Sequence, residues 1–271
     1  MVQTQEPQPN TGTSSERAPI ADASDPFALA KAYQHLRLSD VSDALDALGR
    51  NNVGLVDPSV RPLWEGIRFW GVALTMRMLP ANKNMPPIPP GEVLTTSGQR
   101  IWWGQHAHYG RPKQMDQIRP GHVVVTSTGR CPEAGIWGSA NGMNAIVRGA
   151  VGIVTDGYCR DTDEVILQKT PICARGRGRT ITPGRVEFAD VQVPVELGGV
   201  LVRPGDLVGA DGDGVIVVPV EVAANVIPIA ATILIGDMKS RRRHYQSLGL
   251  PPDPTVAVEV AEAFYSPYLP A

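Results

Sequence analysis

Apolar residues recur at helical spacing near the start of the chain. Pro26 opens a predicted first helix with the sequence PFALAKAYQHL. A second helix follows, with Ser39 or Asp40 as its cap, the amphipathic run VSDALDALG, and Gly49 as its stop signal. Further along, residues 138–148 have a helical period, and a long helix of apolar and small residues is predicted from Pro219 to Tyr245.

Between these helices lie short apolar runs of β type, separated by Gly, Pro and Asp turns. The predicted strands cover residues 69–79, 122–126, 151–155, 191–195, 200–202, 207–210 and 215–218. Directly after the run 151–155 comes Asp156-Gly157, which predicts a tight turn. Strands and helices therefore intermix without regular alternation. This pattern predicts an α/β fold with layered ββα architecture and mixed sheets.

Three segments differ in composition from the rest. Residues 1–25 are rich in Gln, Pro, Thr and Ser, which predicts a flexible N-terminal tail. Residues 80–112 begin as a proline-rich excursion and carry Trp and His residues, which predicts an inserted surface segment, a lid or an oligomer contact. Residues 246–271 are assigned to a C-terminal extension, so that residues 26–245 form the predicted catalytic domain.

The overall charge and the cysteines narrow the class of protein. The formal net charge is -2, with no dominant basic stripe, which argues against nucleic-acid binding. Three cysteines without a CxxC pair predict reduced thiols in a cytoplasmic protein, with neither a disulfide framework nor a zinc site. No apolar run is expected to reach the length of a membrane span.

Candidate chemistry is concentrated in the stretch GSANGMNAIVRGAVGIVTDGYCRDTDE, residues 138–164. Arg160 offers a fork of donors suited to a carboxylate or an oxyanion, and Asp161 is a hard oxygen ligand suited to Mg²⁺ or Mn²⁺. The helix that starts at Ser139 would aim free backbone N–H groups at an anion. An Arg-Asp pair after a strand is also consistent with a surface ion pair of little energetic weight.

Several motifs in this order resemble the RraA-like family, which includes class II 4-hydroxy-4-methyl-2-oxoglutarate aldolases, oxaloacetate decarboxylases and the regulator of ribonuclease activity A. The pattern GxxGxVxDGxxRD covers residues 149–161, and PICARG at 171–176 and VPVELGGVLVRPGDLVGADGDGVIVVP at 193–219 resemble later blocks. The resemblance covers residues 38–219 apart from the insertion. It implies a swivelling-domain-like fold and a homotrimer or a dimer of trimers.

The resemblance also implies roles for individual residues. Arg160 and Asp161 would be catalytic, with Asp161 as metal ligand and Glu164 holding a metal-bound water. The implied substrate-binding set is Gly138, Ser139, Ala140, Asn141 and Arg160. The implied reaction cleaves a C–C bond of a 2-oxo acid, as an aldolase or a decarboxylase, and gives a pyruvate-type enolate with the help of Mg²⁺ or Mn²⁺. The alternative is a non-catalytic regulator that binds a partner protein.

One residue departs from the pattern of the aldolases. The position after the motif glycine is usually acidic in that group, whereas here it is Ser139, which is not a competent base near neutral pH. Another acid or base would then be needed, with Glu133, Asp156 or a histidine of the insertion as candidates. Otherwise the substrate differs or the aldolase activity is lost.

Three further patterns are ambiguous. His106 and His108 are spaced as a metal pair on a strand would be, or are incidental in a loop. The GADGDG run at 209–214 resembles a phosphate loop but lies between two predicted strands, which favours a turn. The arginines of RGRGRT either guide an anionic substrate or solvate a loop, and the second reading is favoured. These are Arg175, Arg177 and Arg179.

Overall fold

The computed structural model describes residues 24–82, 87–92, 113–129, 131 and 133–269. His106 and His108, with most of the predicted insertion and most of the N-terminal tail, lie outside these residues. The helices are α1 Pro26–Ala32, α2 Leu38–Ala47, α3 Ser139–Val147, α4 Thr162–Leu167, α5 Val220–Leu248 and α6 Val258–Tyr265. Short 3-10 turns cover Pro90–Glu92, Lys113–Gln117 and Pro254–Val256.

The strands of the described chain form one nearly closed mixed sheet and a separate two-stranded ribbon. Their bounds are β1 Arg61–Pro62, β2 Phe69–Pro80, β3 His122–Ser127, β4 Gly135–Trp137, β5 Gly152–Cys159, β6 Ile172–Arg177, β7 Val186–Val191, β8 Val195–Leu197, β9 Val200–Val202, β10 Leu207–Asp211 and β11 Gly214–Val218. The main sheet has the order β1-β6-β5-β3-β2-β10-β11, with β4 beside β5 and β7 beside β2. The ribbon is β8-β9. The predicted α/β class with mixed sheets is therefore confirmed.

The centre of the main sheet is parallel, since β2 pairs with β3, β3 with β5, and β5 with both β4 and β6. Strands of a parallel sheet are covered on both faces, which explains why β2 and the centre of β3 are nearly continuous apolar runs. Val123, Val125 and Val154 pack toward the β8-β9 ribbon, whereas Val124 and Ile153 pack toward α3 and α4. Sheet, ribbon and helices thus form the predicted layers.

Helix α5 follows the predicted helix closely and continues three residues past Tyr245, until Gly249 ends it in a left-handed conformation with φ 62°. It packs with α1, α2 and α6 in one apolar cluster. Among the described helices, α5 alone is long and apolar enough to cross a membrane by length and composition, with a mean hydropathy of 1.6 over an 18-residue stretch. The expectation that no apolar run reaches this length was therefore wrong, although core helices also meet the same criterion. The division of the chain at Tyr245 stays a prediction.

Two local predictions were also wrong. The cap of α2 is Arg37, because Asp40 lies three residues inside the helix and its carboxylate accepts a hydrogen bond from Arg37 N at 3.1 Å. Asp156-Gly157 is not a turn, because β5 continues through both residues to Cys159. The pairing of Thr155 and Tyr158 with β6 shows one extra residue in β5, which is the sign of a β-bulge.

Candidate functional site

The candidate site lies where two parallel strands, β4 and β5, end side by side. Trp137 pairs with Cys159, and the carbonyl of Trp137 accepts a hydrogen bond from Arg160 N at 2.9 Å. Helix α3 starts directly after β4, and α4 starts directly after Arg160-Asp161. The pairing of the two strands therefore brings the N-terminus of α3 next to Asp161, although 22 residues separate Ser139 from Asp161.

Asp161 occupies a left-handed backbone conformation, with φ 52° and ψ 40°. Asp and Asn tolerate this region better than most other residues with a side chain. The carboxylate makes no cap for its own helix α4. Instead, its Oδ2 accepts hydrogen bonds from Ser139 N at 3.3 Å and from Ser139 Oγ at 3.4 Å. Asp161 therefore supplies the acidic group at the start of α3.

Gly138 makes this approach possible because it has no side chain. A Cβ atom at residue 138 would lie 2.7 Å from Asp161 Oδ2 and 3.2 Å from Arg160 Cγ. Gly135, three residues earlier at the start of β4, has a similar role, since a Cβ there would lie 3.1 Å from Arg160 Cβ. The backbone of α3 and β4 thus forms a close-fitting cradle for the Arg160-Asp161 pair.

The Arg160-Asp161 pair is open to solvent. The side chains are 36% and 37% exposed, and Arg160 Nε lies 3.7 Å from Asp161 Oδ1. An exposed pair at this distance contributes little to stability, so that most guanidinium donors of Arg160 stay available for a ligand. This arrangement is compatible with a small anion bound between the guanidinium and the start of α3.

The first turn of α3 presents further donors at the same place. The first hydrogen bond inside the helix runs from Gly142 N to the Gly138 carbonyl at 2.8 Å. The N–H groups of Ala140 and Asn141 precede that bond and therefore have no partner inside the helix. Both residues are exposed, and an anion at this helix start would also be favoured by the helix dipole.

The residues predicted to hold a metal are compatible with Mg²⁺ or Mn²⁺. Glu164 is exposed and lies in the first turn of α4, three residues after Asp161. Within the described part of the chain, no group of three His, Cys, Asp or Glu side chains converges on one point. Mg²⁺ is commonly held by one or two carboxylates, with water and substrate oxygens as its other ligands. The solvent-facing carboxylate of Asp161 meets this requirement.

Glu133, a predicted acid or base, is hydrogen-bonded to Arg179. Its Oε2 accepts from Arg179 Nη2 at 2.8 Å, and its Oε1 accepts from Arg179 N at 2.7 Å. These hydrogen bonds lower the pKa of Glu133 to about 2. So acidic a carboxyl group is a weak base near neutral pH. Arg179 is thereby accounted for as well, and Arg177 donates a long bond of 3.5 Å to the Leu63 carbonyl.

Asp156, the other described candidate, is fully buried in the β-bulge. Its Oδ1 accepts from Thr128 N at 2.7 Å, whereas Oδ2 has no hydrogen bond and lies 3.9 Å from Arg175 Nη2. Burial raises the pKa of this carboxyl group. Asp156 therefore ties the loop after β3 to β5, and its burial separates it from solvent.

The remaining patterns have structural accounts. Asp211 of the GADGDG run accepts from Leu38 N at 3.0 Å and from Asp213 N at 2.9 Å, and the run forms the turn between β10 and β11. The three cysteines are free, and all three are buried. Burial raises the pKa of the Cys159 thiol to about 12.

Comparison with known proteins gives one family match and several relatives. A family described as RraA-like, Aldolase/RraA, matches residues 38–217. A putative 4-hydroxy-4-methyl-2-oxoglutarate aldolase of Halalkalibacterium halodurans is 33% identical over 157 residues, 57% of this chain and 70% of that protein. Protein DlpA of Legionella pneumophila is 27% identical over 181 residues, 67% of this chain but only 26% of DlpA. The chain thus spans about a quarter of that relative's length.

A solved structure shares the fold. It is that of Streptomyces coelicolor RraAS2, described as an unusual member of the RNase ES inhibitor RraA protein family. The two chains are 27% identical with a TM-score of 0.63, over 79% of this chain and 97% of RraAS2. The relatives therefore include both proteins named for an aldolase activity and proteins named for inhibition of a ribonuclease.

Proposed function

Because the chain belongs to the RraA-like family, we propose that it is a divalent-metal-dependent lyase that cleaves a C–C bond of a 2-oxo acid. The observation that carries this proposal is the approach of Asp161 to the start of α3, with Arg160 beside it. One small region of the surface thus combines a hard carboxylate ligand, a guanidinium and free helix N–H groups. The names of aldolase relatives agree with this class of reaction.

The chemistry assigned to each residue follows from its position. Asp161 would hold Mg²⁺ or Mn²⁺, with Glu164 holding a water molecule of the metal. The chemistry that such a metal would supply is that of a Lewis acid for the ketone of the substrate. The N–H groups of Ala140 and Asn141 bind the substrate carboxylate at the start of α3. Arg160 donates to the 2-oxo oxygen, where negative charge develops as the C–C bond breaks.

Ser139 sets this site apart from a site with two acidic groups. Its hydroxyl and N–H both face Asp161 Oδ2, so that the serine orients the carboxylate and does not act as a base. Decarboxylation of a 2-oxo acid needs no base to deprotonate a hydroxyl group, whereas retro-aldol cleavage does. We therefore favour a decarboxylase over an aldolase, with water as the source of the final proton.

Assembly and location belong to the same proposal. Large apolar side chains are exposed at the C-terminal ends of α3 and α4, the two helices that begin at the site, with Val147 80% and Leu167 82% exposed. A second copy of the chain would remove these side chains from water. We propose a homotrimer or a dimer of trimers in the cytoplasm.

The second candidate is a regulator that binds a partner protein. The missing acidic group at Ser139 favours it, as does the RNase ES inhibitor family of the structural relative. Its activity would need neither a metal nor Asp161. The metal dependence of turnover therefore distinguishes the two candidates.

The deciding experiment measures pyruvate release from oxaloacetate and from 4-hydroxy-4-methyl-2-oxoglutarate, with Mg²⁺, with Mn²⁺ and with a chelator. We expect metal-dependent release from oxaloacetate above the spontaneous rate. Asp161→Ala should abolish the enzyme-dependent part. Absence of turnover on a panel of 2-oxo acids, together with absence of Mn²⁺ binding, would contradict the lyase proposal.

A further inference from the structure

A second concave site lies away from Arg160 and Asp161, on the helical side of the molecule. It is a cleft of about 1120 Å³ between the C-terminal half of α5, the segment 250–261 and the connection from α1 to α2. The family match ends at residue 217, before α5 begins. The reaction proposed above uses no residue of this cleft.

Four arginines line the cleft, of which two have acidic partners in the described part of the chain and two do not. Arg37 forms ion pairs with Asp40 and with Asp237, and Arg242 forms one with Glu259 at 2.6 Å. These two guanidinium groups are therefore neutralised by the protein itself.

The other two arginines have only carbonyl partners. Arg68 Nη2 donates to the His35 carbonyl at 3.4 Å, and Arg241 Nη1 donates to the Thr255 carbonyl at 2.8 Å. Among the described residues, no carboxylate lies within ion-pair distance of either group. The nearby Asp253 carboxylate accepts instead from Tyr245 Oη at 2.9 Å and from Thr255 N. Arg68 and Arg241 therefore keep guanidinium donors for a ligand.

The rest of the lining is largely aliphatic. The apolar residues of the cleft include Leu234, Met238, Leu250, Val256, Val260 and Ala261. Leu250 is 46% exposed and Val260 is 65% exposed, so that the described chain leaves part of this apolar surface uncovered. Arginine beside aliphatic surface is the lining that an anion with an apolar tail requires.

A buried hydroxyl group beside the cleft also lacks a partner. Tyr265 is fully buried one helical turn beyond Ala261, and its Oη makes no hydrogen bond of normal geometry among the described residues. A buried polar atom without a partner costs free energy unless a ligand or a water satisfies it.

We propose that this cleft binds a small monocarboxylate with an aliphatic chain. The chain lies along Met238 and Val260, and the carboxylate is received by Arg68 and Arg241, the two arginines without an acidic partner. A guanidinium group donates two parallel hydrogen bonds to a carboxylate, which gives this ligand an advantage over an alcohol of equal length.

The test is a titration of the full chain with octanoate, followed by calorimetry, with octan-1-ol and acetate as comparison ligands. We expect saturable binding of octanoate and at least about tenfold weaker binding of both others. Arg68→Ala and Arg241→Ala should each raise the Kd for octanoate about tenfold, and Arg68→Lys should recover part of the loss. Arg50→Ala, a change outside the cleft, should leave the Kd unchanged.

Thermal melting confirms that each variant folds before its Kd is interpreted. Equal binding of octanoate and octan-1-ol would overturn the proposal, because the charge would then contribute nothing. An unchanged Kd in both alanine variants would overturn it as well. Failure of octanoate to bind would also overturn it. If gel filtration then showed an assembly that dissociates in Val260→Asp, a second copy of the chain would be the occupant of the cleft. The pyruvate-release assay is independent of all these outcomes.

Discussion

Asp161 caps a helix that is not its own, and Gly138 is the residue that permits it. The carboxylate of Asp161 follows β5, yet it accepts from the first N–H of α3, which follows β4. A Cβ atom at Gly138 would stand 2.7 Å from that carboxylate, well inside van der Waals contact. The position of the proposed metal ligand therefore depends on a residue with no chemistry of its own.

Gly138→Ala should displace Asp161 and weaken metal binding by about ten- to a hundredfold, the range typical of residues that orient a metal ligand. Mn²⁺ titration followed by electron paramagnetic resonance measures the affinity. Gly236→Ala is the matched control, since nothing lies within 4 Å of its added methyl group. It should keep the affinity for Mn²⁺, and its helical position should make it neutral or slightly stabilising. Unchanged Mn²⁺ affinity in Gly138→Ala would contradict the assigned role of Gly138.

Two substitutions of Asp161 separate its structural role from its chemical one. Asparagine tolerates the left-handed backbone and keeps an oxygen that accepts from Ser139, but it removes the charge. Asp161→Asn should therefore lose Mn²⁺ binding and keep most of the thermal stability. Asp161→Ala should lose both, with a cost of about 1–2 kcal/mol from the missing cap and the strained backbone. Equal melting temperatures for the two variants would show that the cap contributes nothing.

Ser139→Asp should create the second acidic group that the aldolases of the family are expected to have. Two carboxylates at one site raise each other's pKa. Without metal, the variant should therefore be less stable than the wild type at neutral pH, and this difference should shrink under mildly acidic conditions. A divalent metal removes this repulsion, and Mn²⁺ affinity should rise about tenfold. Ser139→Asn has a similar size without charge, and it should show neither effect. A matching gain of affinity in Ser139→Asn would exclude the electrostatic explanation.

The Glu133–Arg179 pair should give the protein an acid-sensitive contact at the edge of the site. The pKa of Glu133 falls from 4.5 to about 2, mainly through its hydrogen bonds with Arg179. A lowered folded-state pKa contributes stability above the unfolded value, and this stability is lost as the pH falls from about 4.5 toward 2. Melting temperatures of the wild type and Glu133→Gln should therefore converge across that window. A constant difference between them would show that Glu133 does not titrate there.

Much of the fold follows from local patterns. The apolar runs of β2 and β3, the helical period of α3 and the proline at the start of α5 predict elements that the structure contains. The turn predicted at Asp156-Gly157 was wrong. This dipeptide is typical of a turn, but here the neighbouring strands hold it in a β-bulge. Strand β4 has only three residues, too few for any period to show.

The candidate site was only partly predictable. Arg160 and Asp161 are adjacent, so their proximity needs no tertiary structure. The contact between Ser139 and Asp161 depends on the pairing of β4 with β5, which a sequence pattern does not encode. The commitment of Glu133 to Arg179 was missed for the same reason, since the two residues lie on different loops, 46 positions apart.

The left-handed backbone at Asp161 has an evolutionary consequence. A lineage that abandoned metal chemistry would still need a residue that accepts φ 52°, and the substitutions with least strain are asparagine and glycine. Asparagine at this position would retain the helix cap without the charge. A descendant of this protein that serves only as a binding partner would thus differ from the enzyme by one amide in place of one carboxylate, on an unchanged backbone.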